Sequence, residues 1–272
     1  MSPLWRDEIG AHLSPRRLCM VRAKRGVKPM WGAEHEEEFE PRQLTDWAAA
    51  LQALDNVLAQ PDWRGAPLRV VVADSWVRYA IVPWVAELSS GDERVTHARQ
   101  LLASAYGDAV NDWEVRLSEA PPESPRVACT IPVTLLEGVR AVCAKQQIKL
   151  LSMQPQLVAA YDGWRHRLPC TGAWFVTVDE GSLAAARIGR TGWDRVYSVR
   201  IGADWVRELK RLQTFGRLAS VSPDEGQVFV DAPQAWRAVA GPSAEHLQWL
   251  EADSSADLTT LQRLGRLRRI AA

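Results

Sequence analysis

The stretch from Arg126 to Arg165 constrains the fold more than any other part of the chain. Arg126-Val-Ala-Cys-Thr-Ile131 is a short apolar run rich in β-branched residues, which predicts a strand. Pro132 ends it, and the residue before a proline is held extended. From Val133 to Gln147, apolar residues recur at Leu135, Leu136, Val139, Val142 and Cys143, the spacing of a helix. Ile148-Lys-Leu-Leu-Ser-Met153 predicts a second strand, and Pro155 then opens a helix from Gln156 to Trp164. Two strands joined by a helix predict a parallel pair with a right-handed crossover. The chain is therefore expected to be an α/β protein, with this block as the hinge between two halves.

On the N-terminal side, residues 1–16 read as polar and irregular. Arg17–Lys24 and Val27–His35 read as a hairpin turning at Arg25-Gly26. Glu34, Glu36, Glu37, Glu38 and Glu40 form an acidic run, read as a solvated loop in preference to a metal site. Pro41 to Leu58 predicts a helix with Leu44, Trp47, Leu51, Leu54 and Leu58 on one stripe and Thr45 or Asp46 as an inner cap. Leu68–Ala73 reads as a strand covered on both faces, and Val77–Val82 as the next strand of the same sheet. A helix from Asp92 to Tyr106, closed by Gly107, precedes a strand at Trp113–Leu117. Beyond Leu168–Gly172 a meander is expected at Trp174–Val178, Ser182–Ile188 and Trp193–Arg200. A helix to Phe215 and a strand at Gln227–Val230 follow. The division expected from this order is a first lobe over 1–170, with an inserted α/β subdomain at about 91–147, and a smaller second lobe over 171–272.

Composition removes several function classes. Lys plus Arg equals Asp plus Glu, 33 each, which disfavours nucleic-acid binding by bulk charge and leaves an Arg/Trp surface for single strands as a weak third reading. Cys19, Cys129, Cys143 and Cys170 form no CxxC pair, so they read as small buried thiols. His12, His35, His97, His166 and His246 show no metal-ligand spacing. There is no G-x-S-x-G elbow, no P-loop and no G-x-G-x-x-G after a strand. The N-terminus lacks the pattern of a secretion signal and no apolar run is long enough to span a bilayer, so a cytoplasmic chain is expected. The basic segment Leu258–Ile270 has apolar residues at helical spacing; it reads as a terminal helix docked on its own domain or a frayed tail, in preference to a membrane-surface helix.

The segment VACTIPVTLLEGVRAVCAKQQIKLLSMQPQLVAAYDGWR, followed by FVTVDEGSLAAARIGRTGW, resembles PilM-like and GspL-like cytoplasmic proteins of type IV pilus and type II secretion machines. In those families a strand leads into a helix of this pattern, then a strand and an apolar P-x-L-x-A helix enter the second domain. The order of elements over roughly residues 17–231 follows the family. The resemblance implies an actin-like (RNase H-like) two-lobed fold with mixed sheets.

Actin-like ATPases hold phosphates in two hairpin turns, each with an aspartate, a glycine and small or hydroxyl residues. The resemblance places these at Met20–Gly26, which has neither Asp nor hydroxyls, and at Asp179, Gly181 and Ser182, which continue into Leu183-Ala184-Ala185. Two readings fit the second turn, a remnant phosphate loop and an ordinary β-turn. The resemblance therefore implies a non-catalytic scaffold with no required cofactor, and ATP with Mg as the only candidate ligand. Its partner would be an inner-membrane assembly protein with a short cytoplasmic tail, with a homodimer as a further expectation and membrane contact indirect. The alternative is an ATP-binding enzyme of the actin and sugar-kinase class.

Overall fold

Strand pairing is the feature that sorts this chain, because apolar runs such as Leu68–Val72, Leu150–Pro155 and Gln227–Asp231 find partners far away in sequence. A computed structural model describes residues 7–24, 30–41, 43, 45–179, 181–218, 226–241 and 244–250. Its described elements divide between two compact units, one built from the chain up to Trp76 and from Thr134–Trp164, the other from Val77–Val133 and the chain from Arg165 onward. The units thus interleave along the sequence, and the chain passes between them at 76/77, 133/134 and 164/165. The segment 77–133 lies with the second unit.

The first unit holds a five-stranded sheet in the order β3-β2-β1-β4-β8. Its strands are β1 (Glu8–Leu13), β2 (Arg17–Lys24), β3 (Met30–Glu38), β4 (Leu68–Val72) and β8 (Leu150–Pro155). β1, β2 and β3 pair antiparallel in succession, while β4 and β8 add in parallel on the other side of β1. Alternation decides the faces. Ile9, Ala11 and Leu13 are fully buried, opposite Leu68, Val70 and Val72 in the register. The other face carries Cys19, Val21 and Val71, which cluster with Ala159 of helix α4 (Gln156–Trp164). Helices α1 (Ala48–Leu58) and α3 (Val133–Lys145) complete the unit, linked by Asp55, which accepts from Lys145 Nζ at 2.6 Å and Gln146 Nε2 at 2.7 Å.

The second unit repeats that order with β11-β10-β9-β12-β13. Here β9 (Ala173–Asp179), β10 (Ser182–Ile188) and β11 (Trp193–Arg200) are antiparallel, and β12 (Gln227–Asp231) and β13 (Leu247–Trp249) add in parallel beside β9. Helix α5 (Trp205–Leu218) lays Trp205, Val206, Leu209 and Leu212 on Trp174, Val176, Val178, Leu183 and Ala185, with Ala240 of α6 (Gln234–Ala240) in the same core. A three-stranded antiparallel sheet, β5-β7-β6, belongs to this unit too, from β5 (Arg78–Val82), β6 (Trp113–Leu117) and β7 (Arg126–Pro132). Helix α2 (Gly91–Tyr106) packs Ala98 and Leu102 against its Val82, Val115 and Ala128. The start of α2 is fixed by a capping box between Ser90 and Glu93, and Gly107 ends it.

Several expectations are corrected by this pairing. The strands on either side of α3 do not pair with each other. β7 is already flanked by β5 and β6, and β8 joins β4, so the helix carries the chain from one sheet to another instead of closing a crossover. Val77–Val82 likewise leaves the first sheet for β7. The supposedly irregular N-terminus contains β1, the central strand, whose Gly10, Ala11 and His12 gain from pairing on both sides what they lack in strand propensity. The acidic run from Glu34 to Glu38 belongs to an edge strand, β3, with Glu40 just beyond it, and charged side chains are what disfavours edge-to-edge pairing there. The first helix begins at Ala48, where Asp46 Oδ1 accepts from the Ala48 N–H at 2.9 Å. The Arg25-Gly26 turn, Leu44 and the segment Leu258–Ile270 lie outside the described residues.

Candidate functional site

The shared strand order makes two hairpin turns equivalent, β1–β2 in the first unit and β9–β10 in the second. In the second unit the end of β9 and the start of β10 are buried on both faces, so the few polar side chains there stand out. Asp179 is the last paired residue of β9 and lies directly opposite Ser182. Both are buried. Gly181 precedes Ser182 with φ of 70°, a left-handed conformation that glycine adopts without strain, and its carbonyl accepts from Ile201 N–H at 2.9 Å. The neighbouring pair on the same face is Thr177 opposite Asp231. The turn therefore gathers two carboxylates and two hydroxyls. Beyond Ser182, Leu183, Ala184, Ala185 and Ala186 are fully buried and offer no further hydroxyl.

The β1–β2 turn is of a different kind. It runs through Ser14, Pro15 and Arg16, and not through the expected Met20–Gly26, whose described residues Met20–Lys24 belong to β2. Ser14 is buried and closes the turn on itself. Its N–H donates to Arg17 O at 2.9 Å, its Oγ donates to the same carbonyl at 3.1 Å, and Arg17 N–H donates back to Ser14 Oγ at 3.0 Å. Pro15 has no N–H to offer. Backbone amides are what a phosphate-cradling turn supplies, and here those of Ser14 and Arg17 are turned inward.

Three further polar residues sit at the carboxyl ends of the parallel strands of the first sheet, where ligands of α/β folds bind. Buried His12, on β1, has its Nε2 3.2 Å from Gln156 Oε1 at the start of α4. Asp74, buried just beyond β4, accepts from the Leu157 N–H at 3.1 Å through Oδ1. That N–H is one of the unpaired donors of the first turn of α4, so the carboxylate caps the helix from a distant part of the chain. His12, Ser14, Asp74, Gln156, Thr177 and Asp231 were not singled out in the sequence. The only signal was position, a polar residue at the end of an apolar run such as Leu68–Ala73 before Asp74. Among the described residues no group of three or more His, Cys, Asp or Glu is arranged to hold a metal ion. Nor is any described helix long and apolar enough to cross a membrane.

The sequence matches no family model and no curated protein. The fold, in contrast, is matched by solved structures along nearly the whole chain. The PilM–PilN type IV pilus biogenesis complex superposes with a TM-score of 0.63 at 14% identity, covering 97% of this chain and 96% of that one. The cytoplasmic domain of EpsL, an inner-membrane component of the type II secretion system of Vibrio cholerae, gives 0.60 at 11% identity, with 96% and 94% covered. A Bacteroides thetaiotaomicron protein with an actin-like ATPase fold and unknown function gives 0.58 at 11% identity, with 92% and 93% covered. The chain has the actin-like ATPase fold.

Proposed function

We propose that this chain is a non-catalytic scaffold of an inner-membrane assembly of the type IV pilus or type II secretion kind, and that it binds the short cytoplasmic tail of a membrane partner. The observation that carries the reading is the self-bonded β1–β2 turn, with Ser14 and Arg17 satisfying one another and Pro15 between them. A triphosphate clamp needs both equivalent turns, and only the second keeps an aspartate, a glycine and a hydroxyl. The full-length likeness to a pilus biogenesis complex and to a secretion-system component supports the setting. In this reading the protein works at the cytoplasmic face of the inner membrane, and no cofactor is required.

The second reading, an ATP-binding enzyme of the actin and sugar-kinase class, is favoured by one observation, the Asp179–Ser182 pair beside Thr177 and Asp231. Titration calorimetry with ATP and Mg separates the two. A scaffold gives no binding heat, and Asp179→Ala leaves that result unchanged. Saturable heat that Asp179→Ala abolishes establishes the nucleotide enzyme. Capture of an inner-membrane partner by its tail peptide tests the scaffold directly, and failure of every single-span protein of the same assembly to bind rejects it.

A further inference from the structure

We propose that the outer face of α5 contacts an anionic phospholipid surface directly. The helix is two-sided. Trp205, Val206, Leu209 and Leu212 anchor it in the core of the second unit. On the opposite side Arg207, Lys210, Arg211, Thr214 and Phe215 are exposed within two successive turns. At 100° per residue these five side chains share one continuous face. Phe215 is 52% exposed, among the most exposed large apolar side chains described. The Arg211 guanidinium lies 5.6 Å from the centre of its ring.

Charge selects the partner. The chain as a whole carries no net charge, with 33 basic and 33 acidic residues, so a face with three cations is a local concentration. Its one nearby carboxylate within the helix, Glu208, is engaged by Arg211 at 3.3 Å, and Asp204 precedes the helix. Clustered Lys and Arg around an exposed aromatic ring suit the boundary between lipid phosphates and acyl chains, where cations meet headgroups and the ring enters the interface. Because its opposite side is anchored in the core, the helix need not fold on binding, and the ordering cost is confined to its exposed side chains. Such a contact would orient the second unit on the bilayer in addition to any tail it holds, and it does not depend on which tail that is.

Co-sedimentation of the full chain with vesicles tests this. Vesicles of equal parts phosphatidylglycerol and phosphatidylcholine are expected to retain the protein, and pure phosphatidylcholine is not. The triple variant Arg207→Glu, Lys210→Glu, Arg211→Glu should lose at least about tenfold in vesicle affinity. Raising salt should weaken the parent in the same direction. Because all three positions are exposed, the helix signal in circular dichroism should be unchanged; if it is not, the milder set Arg207→Gln, Lys210→Gln, Arg211→Gln carries the test. Equal binding to both vesicle types overturns the proposal. So does a loss that follows Arg263→Gln, Arg266→Gln, Arg268→Gln and Arg269→Gln in the C-terminal segment while the α5 variant binds normally. Tail-peptide capture without lipid, run on the same α5 variant, is expected to be unaffected, which separates this contact from the scaffold reading.

Discussion

The two five-stranded sheets share strand order and pairing sense but are filled with different material. In the first, the buried side chains of its strands and α-helices are mostly aliphatic, Ile9, Leu13, Leu18, Met20, Leu54, Leu58, Leu68 and Leu135, with Trp63 and Trp76 buried in the short turns on either side of β4. The second is centred on Trp205, whose Nε1 donates to Trp236 O at 3.1 Å and whose ring meets Trp249 edge-on at 5.9 Å. Arg237 braces that corner, 5.2 Å above Trp249 and donating to Leu250 O at 3.0 Å. Their equivalent turns differ as well, one locked by a serine and a proline, the other relaxed by a glycine. The topology therefore depends on neither core chemistry nor turn chemistry, and the copies differ in the polar groups their turns present. At the β1–β2 turn the Ser14 and Arg17 amides are turned inward with no change to the strand order behind them.

The largest test of this comparison is Trp205→Ala. Removing a fully buried tryptophan, with its hydrogen bond and ring contact, is expected to cost about 3–5 kcal/mol. Hydrogen exchange should show the loss in β9, β10, β12 and β13, with β1, β2 and β4 still protected. Equal loss of protection in both sheets would mean that the two aliphatic and aromatic cores melt as one, and the comparison would break.

Next is Gly226→Ala, at the entry to β12. A Cβ there would meet the Gly172 carbonyl oxygen at 2.1 Å and its carbon at 2.8 Å, so backbone must move. The expected cost is about 3 kcal/mol, at the upper end for overpacking, read from a chemical denaturation midpoint. In the first unit the corresponding probe is Asp74→Ala, which leaves the buried Leu157 N–H without this acceptor. About 2 kcal/mol is expected. Asp74→Asn should recover most of it, because an amide oxygen can accept the same bond. Failure of the asparagine variant to recover would assign the loss to charge at the helix terminus instead.

What the sequence made legible follows from where the information lies. The meander β9-β10-β11 and helices α1, α2, α3 and α4 were readable because turn residues and 3.6-residue spacing are local. β1 was not, since Gly10 and His12 look unsuited to a strand until β2 and β4 flank them. The pairing of β7 with β5, and of β8 with β4, was hidden because sheet partners are chosen over long separations that no local pattern records. The Asp179, Gly181 and Ser182 turn could be found because its Asp-x-Gly chemistry is contiguous. The capping of α4 by Asp74 joins residues 74 and 157, and only the fold brings them together.

Acid sharpens the comparison at its finest grain, because among the described residues each unit has a carboxylate held ionised by different partners. In the first unit, hydrogen bonds from Lys145 and Gln146 hold Asp55 below its ordinary 3.8. In the second, the Ser90 and Ser89 N–H groups at the start of α2 hold Glu93 below its ordinary 4.5. A depressed carboxyl pKa stabilises the fold above the unfolded value, and that contribution is lost as pH falls through the folded one. The loss at Glu93 should thus begin below 4.5 and that at Asp55 only below 3.8. Melting temperature followed from pH 6 to pH 3 is expected to decline first through α2. Glu93→Gln, which keeps an oxygen to accept the Ser90 N–H, should flatten the upper part of the decline, and Asp55→Asn only the lower part. Glu93 is exposed and Asp55 half-buried, so the Glu93 contribution should be small and the more strongly screened by high salt. If Glu93→Gln leaves the upper part of the curve unchanged, the cap at α2 is not what acid releases, and the order of loosening between the units has some other origin.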